Sequence, residues 1–138
     1  MEAPSVERLR SIPLFSGLSD EALDRVATVV TEFEAPAGHV LIQAGQEGSG
    51  MFVLEEGEVA VEIPGHAPVS LGPGEFFGEL SILGEGIART ARVRAVTPIR
   101  CVALARADFA RILEAEPRIA VSMLPVLARR LADLETGG

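Results

Sequence analysis

The sequence contains no tryptophan, no tyrosine and one cysteine, Cys101. A single thiol cannot close an internal disulfide, so a stapled extracellular scaffold is excluded and a reducing compartment is expected. Lysine is absent, and every one of the 12 basic residues is arginine. No apolar run approaches the roughly 18 residues that a membrane span needs. The longest, Ile119 to Ala128, is interrupted by Ser122 and Pro125. The start, Met1-Glu2-Ala3-Pro4, is acidic and lacks the apolar core of an export signal. The expected location is therefore cytoplasmic, with no membrane partner.

What is present describes a folded chain of ordinary size. Its 138 residues suit one domain, expected to span 1–138 and to bury roughly two-thirds of its unfolded surface. Apolar residues make up 48% and charged residues 23%, the balance of a folded protein. Gly and Pro number 14 and 9, which implies many turns. Residues 1–88 hold 3 Arg against 15 Asp and Glu, whereas 89–138 hold 9 Arg against 5. The net charge of −8 makes non-specific nucleic-acid binding unfavourable, because phosphate attraction dominates that affinity. The basic half can still hold a local anion site.

Three zones follow in the chain. Residues 1–30 read as helices. Val6 and Leu9 suggest a short one broken near Pro13, Ile12 to Leu18 is a turn with apolar anchors, and Ser19 caps a second helix. Residues 31–105 change to short Val-, Ile- and Phe-rich segments separated by Gly or Pro. Strands are expected at Val40–Ile42, Met51–Leu54, Val59–Ile63, Val69–Leu71, Arg92–Arg94 and Arg100–Leu104. Glu56-Gly57 is read as a tight hairpin turn. Residues 106–136 are helical again, with a break before Pro117 and a longer helix carrying Pro125, where a kink is expected. In that helix Leu124, Leu127, Leu131 and Leu134 form an apolar seam at 3-4-3 spacing. Such a seam serves more often for core packing than for a dimer contact. The fold class is thus mainly β with flanking helices: an antiparallel, jelly-roll-like β-roll between an N-terminal helical segment and two C-terminal helices.

The chemistry concentrates in residues 72–95. A Gly-Pro-Gly turn leads to Phe76-Phe77 as buried anchors, then Gly78, which permits close backbone approach. Glu79-Leu-Ser-Ile-Leu83 is long enough for one or two helical turns whose free N–H groups favour an anion. Arg89 returns on the following strand, and its guanidinium fork matches two phosphate oxygens. Glu79 would repel a free phosphate but suits the hydroxyls of an attached sugar. Amides, one Arg and one Glu together fit a sugar phosphate.

The stretch Phe77-Gly-Glu-Leu-Ser-Ile-Leu, followed by Arg89-Thr-Ala, resembles the phosphate-binding cassette of cyclic nucleotide-binding domains. The likeness covers nearly the whole chain, with the cassette at 77–91 and the helices of 106–136 as a lid. It implies that Gly78, Leu80 and Ser81 lend backbone groups and that Glu79 accepts from the ribose 2′-hydroxyl. It also implies that Arg89 pairs with the cyclic phosphate while Thr90 and Ala91 line the same pocket. Val61 and Val69 would wall the base, and the last helix would cap it. Thr90 permits cGMP without excluding cAMP. One departure from the family pattern is Ala88, where many relatives have Pro.

The function implied is a non-catalytic regulatory module that binds cAMP or cGMP, needs no cofactor or metal, and transmits binding through its C-terminal helices. The partner receiving that motion would be a second copy through the C-terminal helix, or an effector domain absent from this chain. No recognition helix follows the long helix, so no nucleic-acid partner is expected through these residues. A ligand-independent interaction module of the same fold is the alternative. A cupin-like metal enzyme is disfavoured, since His39 and His66 are isolated residues beside glycines rather than a ligand set. No Ser, Cys or Asp stands in a nucleophile setting.

Overall fold

The computed structural model describes residues 5–43, 50–78 and 91–136, with the backbone alone for 134–136. Among the described residues the apolar segments form eight strands: β1 (Thr31–Ala35), β2 (Val40–Ile42), β3 (Gly50–Glu56), β4 (Val59–Glu62), β5 (Val69–Leu71), β6 (Phe76–Phe77), β7 (Arg92–Ala95) and β8 (Ile99–Ala105). They build two four-stranded antiparallel sheets, ordered β1-β8-β3-β6 and β2-β7-β4-β5. The described helices are α1 (Val6–Arg10), α2 (Asp20–Val29), α3 (Arg106–Ala115) and α4 (Pro117–Thr136), with a 3₁₀ turn at Pro13–Phe15. The β-roll with flanking helices expected from the sequence is the observed fold.

Strand alternation divides the core in two. Along β3, Met51 and Val53 face the helices, while Phe52 and Leu54 face the second sheet. The helix-side core joins Leu9, Phe15, Leu23 and Val26 to Phe109, Ile112, Ile119 and Met123 over Val102 and Leu104. The inter-sheet core contains Ile42, Val59, Leu71, Phe77, Val93, Ile99 and Cys101. Burial raises the Cys101 thiol to about 12, so it stays protonated, and it points its hydrogen at the Phe33 carbonyl. Local signals act as the sequence suggests at the first helices. Ser5 and Ser19 accept from the amides of Arg8 and Ala22 respectively.

Two features differ from expectation, and Thr31–Ala35, at the start of the β zone, is a strand despite two glutamates. Both point away from the inter-sheet core and take arginine partners, Glu32 with Arg8 and Glu34 with Arg100. Glu56-Gly57 does not close a hairpin, because β3 and β4 lie in different sheets. Instead Gly57 turns the chain from one sheet to the other at φ +92°, where a Cβ would overlap the Pro98 carbonyl oxygen. The leucine seam is not core packing: Leu124 and Leu131 are exposed, and Leu127 packs only partly against the core. The side chain of Leu134 lies outside the described residues. Helix α4 runs through Pro125.

Gly57 is therefore a sharp probe of the corner. Gly57→Ala should lower the unfolding free energy by about 2 kcal/mol, read as a reduced urea midpoint. An unchanged midpoint would show that the corner is not sterically closed.

Candidate functional site

Of the residues expected to form the site, Gly78 and Ala91 are described. Glu79, Leu80, Ser81, Arg89 and Thr90 lie outside the described residues. The frame around them is well defined. The chain leaves the first sheet after β6 and enters the second at β7, so the cassette is the crossover between the two sheets.

Its entrance is built by Phe76-Phe77. The antiparallel pairing with Val53 and Phe52 turns the two rings to opposite faces of the sheet. Phe76 enters the helix-side core, and Phe77 enters the inter-sheet core, stacked on Phe52 with centroids 5.3 Å apart. Gly78 follows at φ +88°. A Cβ there would meet the Gly50 carbonyl oxygen at 2.9 Å and the Ile42 Cδ1 at 3.3 Å. Only glycine takes both that dihedral and that space.

Ile42 begins a row that crosses the second sheet. Ile42 pairs with Val93, Val93 with Val61, and Val61 with Val69. Directly paired residues share a face, and this row faces the inter-sheet core. Coverage declines along it. Ile42 and Val93 are 4% and 3% exposed, Val61 is half-buried, and Val69 is 50% exposed. The neighbouring row, Ala95–Val59–Leu71, is buried throughout. The inter-sheet core thus closes at one row and opens at the next, leaving an apolar wall toward the β5 edge. Ala91, half-buried, precedes the Arg92–Glu62 pair at the same end of β7. Gly78 thus stands at the Ile42 end of the row and Ala91 two residues before Val93, while Val61 and Val69 face the opening.

Charge on the opposite face is already matched. Arg92 Nε donates to Glu62 at 2.8 Å, and Arg94 approaches the same carboxylate at 3.5 Å. The hydrogen bond from Arg92 outweighs the opposing desolvation and, with the positive charges of Arg92 and Arg94, holds the Glu62 carboxyl below its usual range. Arg92 and Arg94 are thus engaged on the outer face and do not serve an anion in front of the valines. A cleft of about 400 Å³ elsewhere is lined by Glu34, Ala35, Pro36, Glu56, Pro98, Ile99 and Arg100, none of them from the cassette or the valine row. Its arginine pairs with Glu34 and Glu56, which leaves it little charge to offer a ligand. Among the described residues no group of three or more His, Cys, Asp or Glu could hold a metal ion. His39 stands against the Phe33 ring, at 5.9 Å between centroids.

Sequence reading missed Arg130. It reaches from α4 to β6, donating to the Phe76 carbonyl at 2.6 Å with its guanidinium 4.6 Å from that ring's centroid. The available signal was helical phase. Arg130 falls seven residues after Met123 and three after Leu127, on the buried side of the helix.

Comparison with known proteins accords with this frame. The profile of the family described as "Cyclic nucleotide-binding domain" matches residues 32–116. A cyclic nucleotide-gated potassium channel of Mesorhizobium japonicum is 37% identical over 110 residues, 80% of this chain and 30% of the channel. The crystal structure of Thermus thermophilus catabolite activator protein superposes with a TM-score of 0.74 at 35% identity, covering 89% of this chain and 61% of that one. A cAMP-bound PfPKA-R structure reaches a TM-score of 0.81 over 96% of this chain and 46% of that one, and at 22% identity it speaks for the fold alone. The chain belongs to the cyclic nucleotide-binding domain family. It spans less than a third of the channel it matches.

The open row makes a stability prediction. Val69→Thr, on the uncovered end, should change the unfolding free energy by less than about 0.5 kcal/mol. Val59→Thr, one row deeper, should cost about 1–3 kcal/mol for burying a hydroxyl. Equal losses in urea titrations would mean that both rows are equally covered.

Proposed function

We propose that this chain binds a cyclic nucleotide, cAMP or cGMP, without covalent chemistry, and transmits the event through its C-terminal helices. The observation that carries the reading is the apolar row that starts beside Gly78 and lies open at Val69. It places a dry wall at the two ends of a segment whose sequence suits a sugar phosphate. Phosphate and base make opposite demands, one for charge and donors, the other for an apolar surface. A crossover between sheets supplies both. In this reading Gly78, Leu80 and Ser81 offer backbone groups, and Glu79 accepts from the ribose hydroxyl. Arg89 pairs with the phosphate, Thr90 and Ala91 line the pocket, and Val61 and Val69 face the base. Residues 1–138 act as one binding unit in the cytoplasm, with no cofactor and no catalytic step.

A second copy of the chain is the proposed protein partner. Val121, Leu124 and Leu131 are 63%, 61% and 59% exposed, and with exposed Ala128 they make a 3-4-3 stripe along α4. That spacing is the one through which two helices pack side by side. Ligand binding would then bias two arrangements of the paired helices, with a coupling of about 1–3 kcal/mol.

Thermal unfolding with cAMP, cGMP and their linear monophosphates tests the ligand. At about 100 times its dissociation constant, a true ligand adds about 2.7 kcal/mol of stability. Arg89→Ala should weaken binding by about 2–5 kcal/mol in calorimetry, since a buried phosphate loses its charged partner. Full affinity in that variant would contradict the assignment. Sedimentation should show a dimer that Leu124→Glu with Leu131→Glu converts to a monomer. A monomer in the unaltered chain would refute the pairing.

A further inference from the structure

Helix α4 is anchored differently on either side of Pro125. Before it, Ile119 and Met123 are fully buried in the helix-side core, and Arg118 donates to the Gly17 carbonyl at 3.1 Å. After it, Val126 and Leu127 pack only partly against that core. Pro125 has no N–H to give the Val121 carbonyl, so bending costs less at this point than elsewhere in the helix. The second half nevertheless takes hold of one particular strand. Arg130 donates to the Phe76 carbonyl and lies over the Phe76 ring, so one side chain grips one residue in two ways. Phe76 is almost fully buried and belongs to β6, the edge strand of its sheet. Two residues later stands Gly78, wedged against Gly50 and Ile42.

We propose that Arg130 is a positioning residue that yokes residues 126–136 to the entrance of the cassette. Phe76 cannot shift alone, because its ring is enclosed and its neighbour Phe77 is stacked on Phe52. A displacement of the segment beginning at Gly78 therefore moves β6 as a unit. The guanidinium follows the Phe76 carbonyl, and the second half of α4 pivots at Pro125 while Ile119 and Met123 stay seated. A charged donor on a carbonyl keeps its geometry better than apolar contact does, since the bond is directional. The yoke is thus a mechanical coupling between binding segment and output helix. Its nucleotide arm rests on the function proposed above, whereas its helix arm does not.

Hydrogen exchange on the nucleotide-free chain tests it first. Arg130→Ala should speed exchange over 126–136 about tenfold while leaving 117–124 unchanged, and Arg130→Lys, which keeps the charge but not the fork, should fall between. Gly78→Ala, which displaces the entrance, should also speed exchange over 126–136, and should add nothing once Arg130 is alanine. If Gly78→Ala fails to fold by circular dichroism, Ile42→Val loosens the same contact and takes its place. Unchanged protection in Arg130→Ala, or full additivity in the double variant, would overturn the proposal. With cAMP present, protection over 126–136 should change in the unaltered chain. It should stay constant in Arg130→Ala that still binds the nucleotide by calorimetry. A full response in that variant would also overturn the yoke. Failure of the unaltered chain to bind would refute the nucleotide reading alone, and the nucleotide-free cycle would still decide the yoke.

Discussion

Gly78 passes so near the carbonyl of Gly50 that no side chain fits between them. This contact, with the two phenylalanines before it, decides where the cassette begins. Phe76 and Phe77 send one ring into each core, which sets the register of β6 and makes the two residues move together. The positive φ at Gly78 then turns the chain off the edge of the first sheet beside Ile42 of the second. A bulkier residue there would push the two sheets apart at the level where the inter-sheet core ends.

The consequence is a site made from an interruption in packing. Two successive rows of the second sheet have similar apolar side chains, yet one is sealed and the next is open at β5. An uncovered valine on an inward face leaves unfavourable apolar contact with water, which an apolar ligand surface can relieve. The cations of β7 do not compete for this opening, because Glu62 holds them on the outer face. In the proposed function the charge for an anion comes from the crossover, whose arginine is Arg89. On the helix side, Arg130 ties the same strand to α4, so the strand that leads into the crossover and the last helix meet at Phe76.

Much of this was legible in the residues. Val59–Ile63 alternates, Ser19 caps, and Phe76-Phe77-Gly78 announces two anchors and a sharp turn. The parts that were not legible have physical causes. Thr31–Ala35 carries two glutamates, and their arginine partners come from Arg8 and Arg100, distant in sequence. Gly57 signals a turn of positive φ, but a hairpin and a passage between sheets share that signal, and only pairing partners distinguish them. The leucine spacing in α4 reports a stripe without reporting which stripe faces the core. Ile119 and Met123 occupy the buried side and leave Leu124 and Leu131 outside. Within the cassette, the roles of Glu79 and Arg89 are expectations from spacing, while Gly78 and Ala91 are the members whose positions are described.

The proposed placement sets a nucleotide against the Val61–Val69 end of the row, next to the crossover. Methyl-resolved NMR during a cAMP or cGMP titration reads this directly. Large shifts are expected for the Val61 and Val69 methyl groups and for the Gly78 and Ala91 amides, with Val59 and Leu71 nearly still. Shifts centred instead on the cleft at Glu34, Glu56 and Arg100, or spread evenly across both rows, would contradict it.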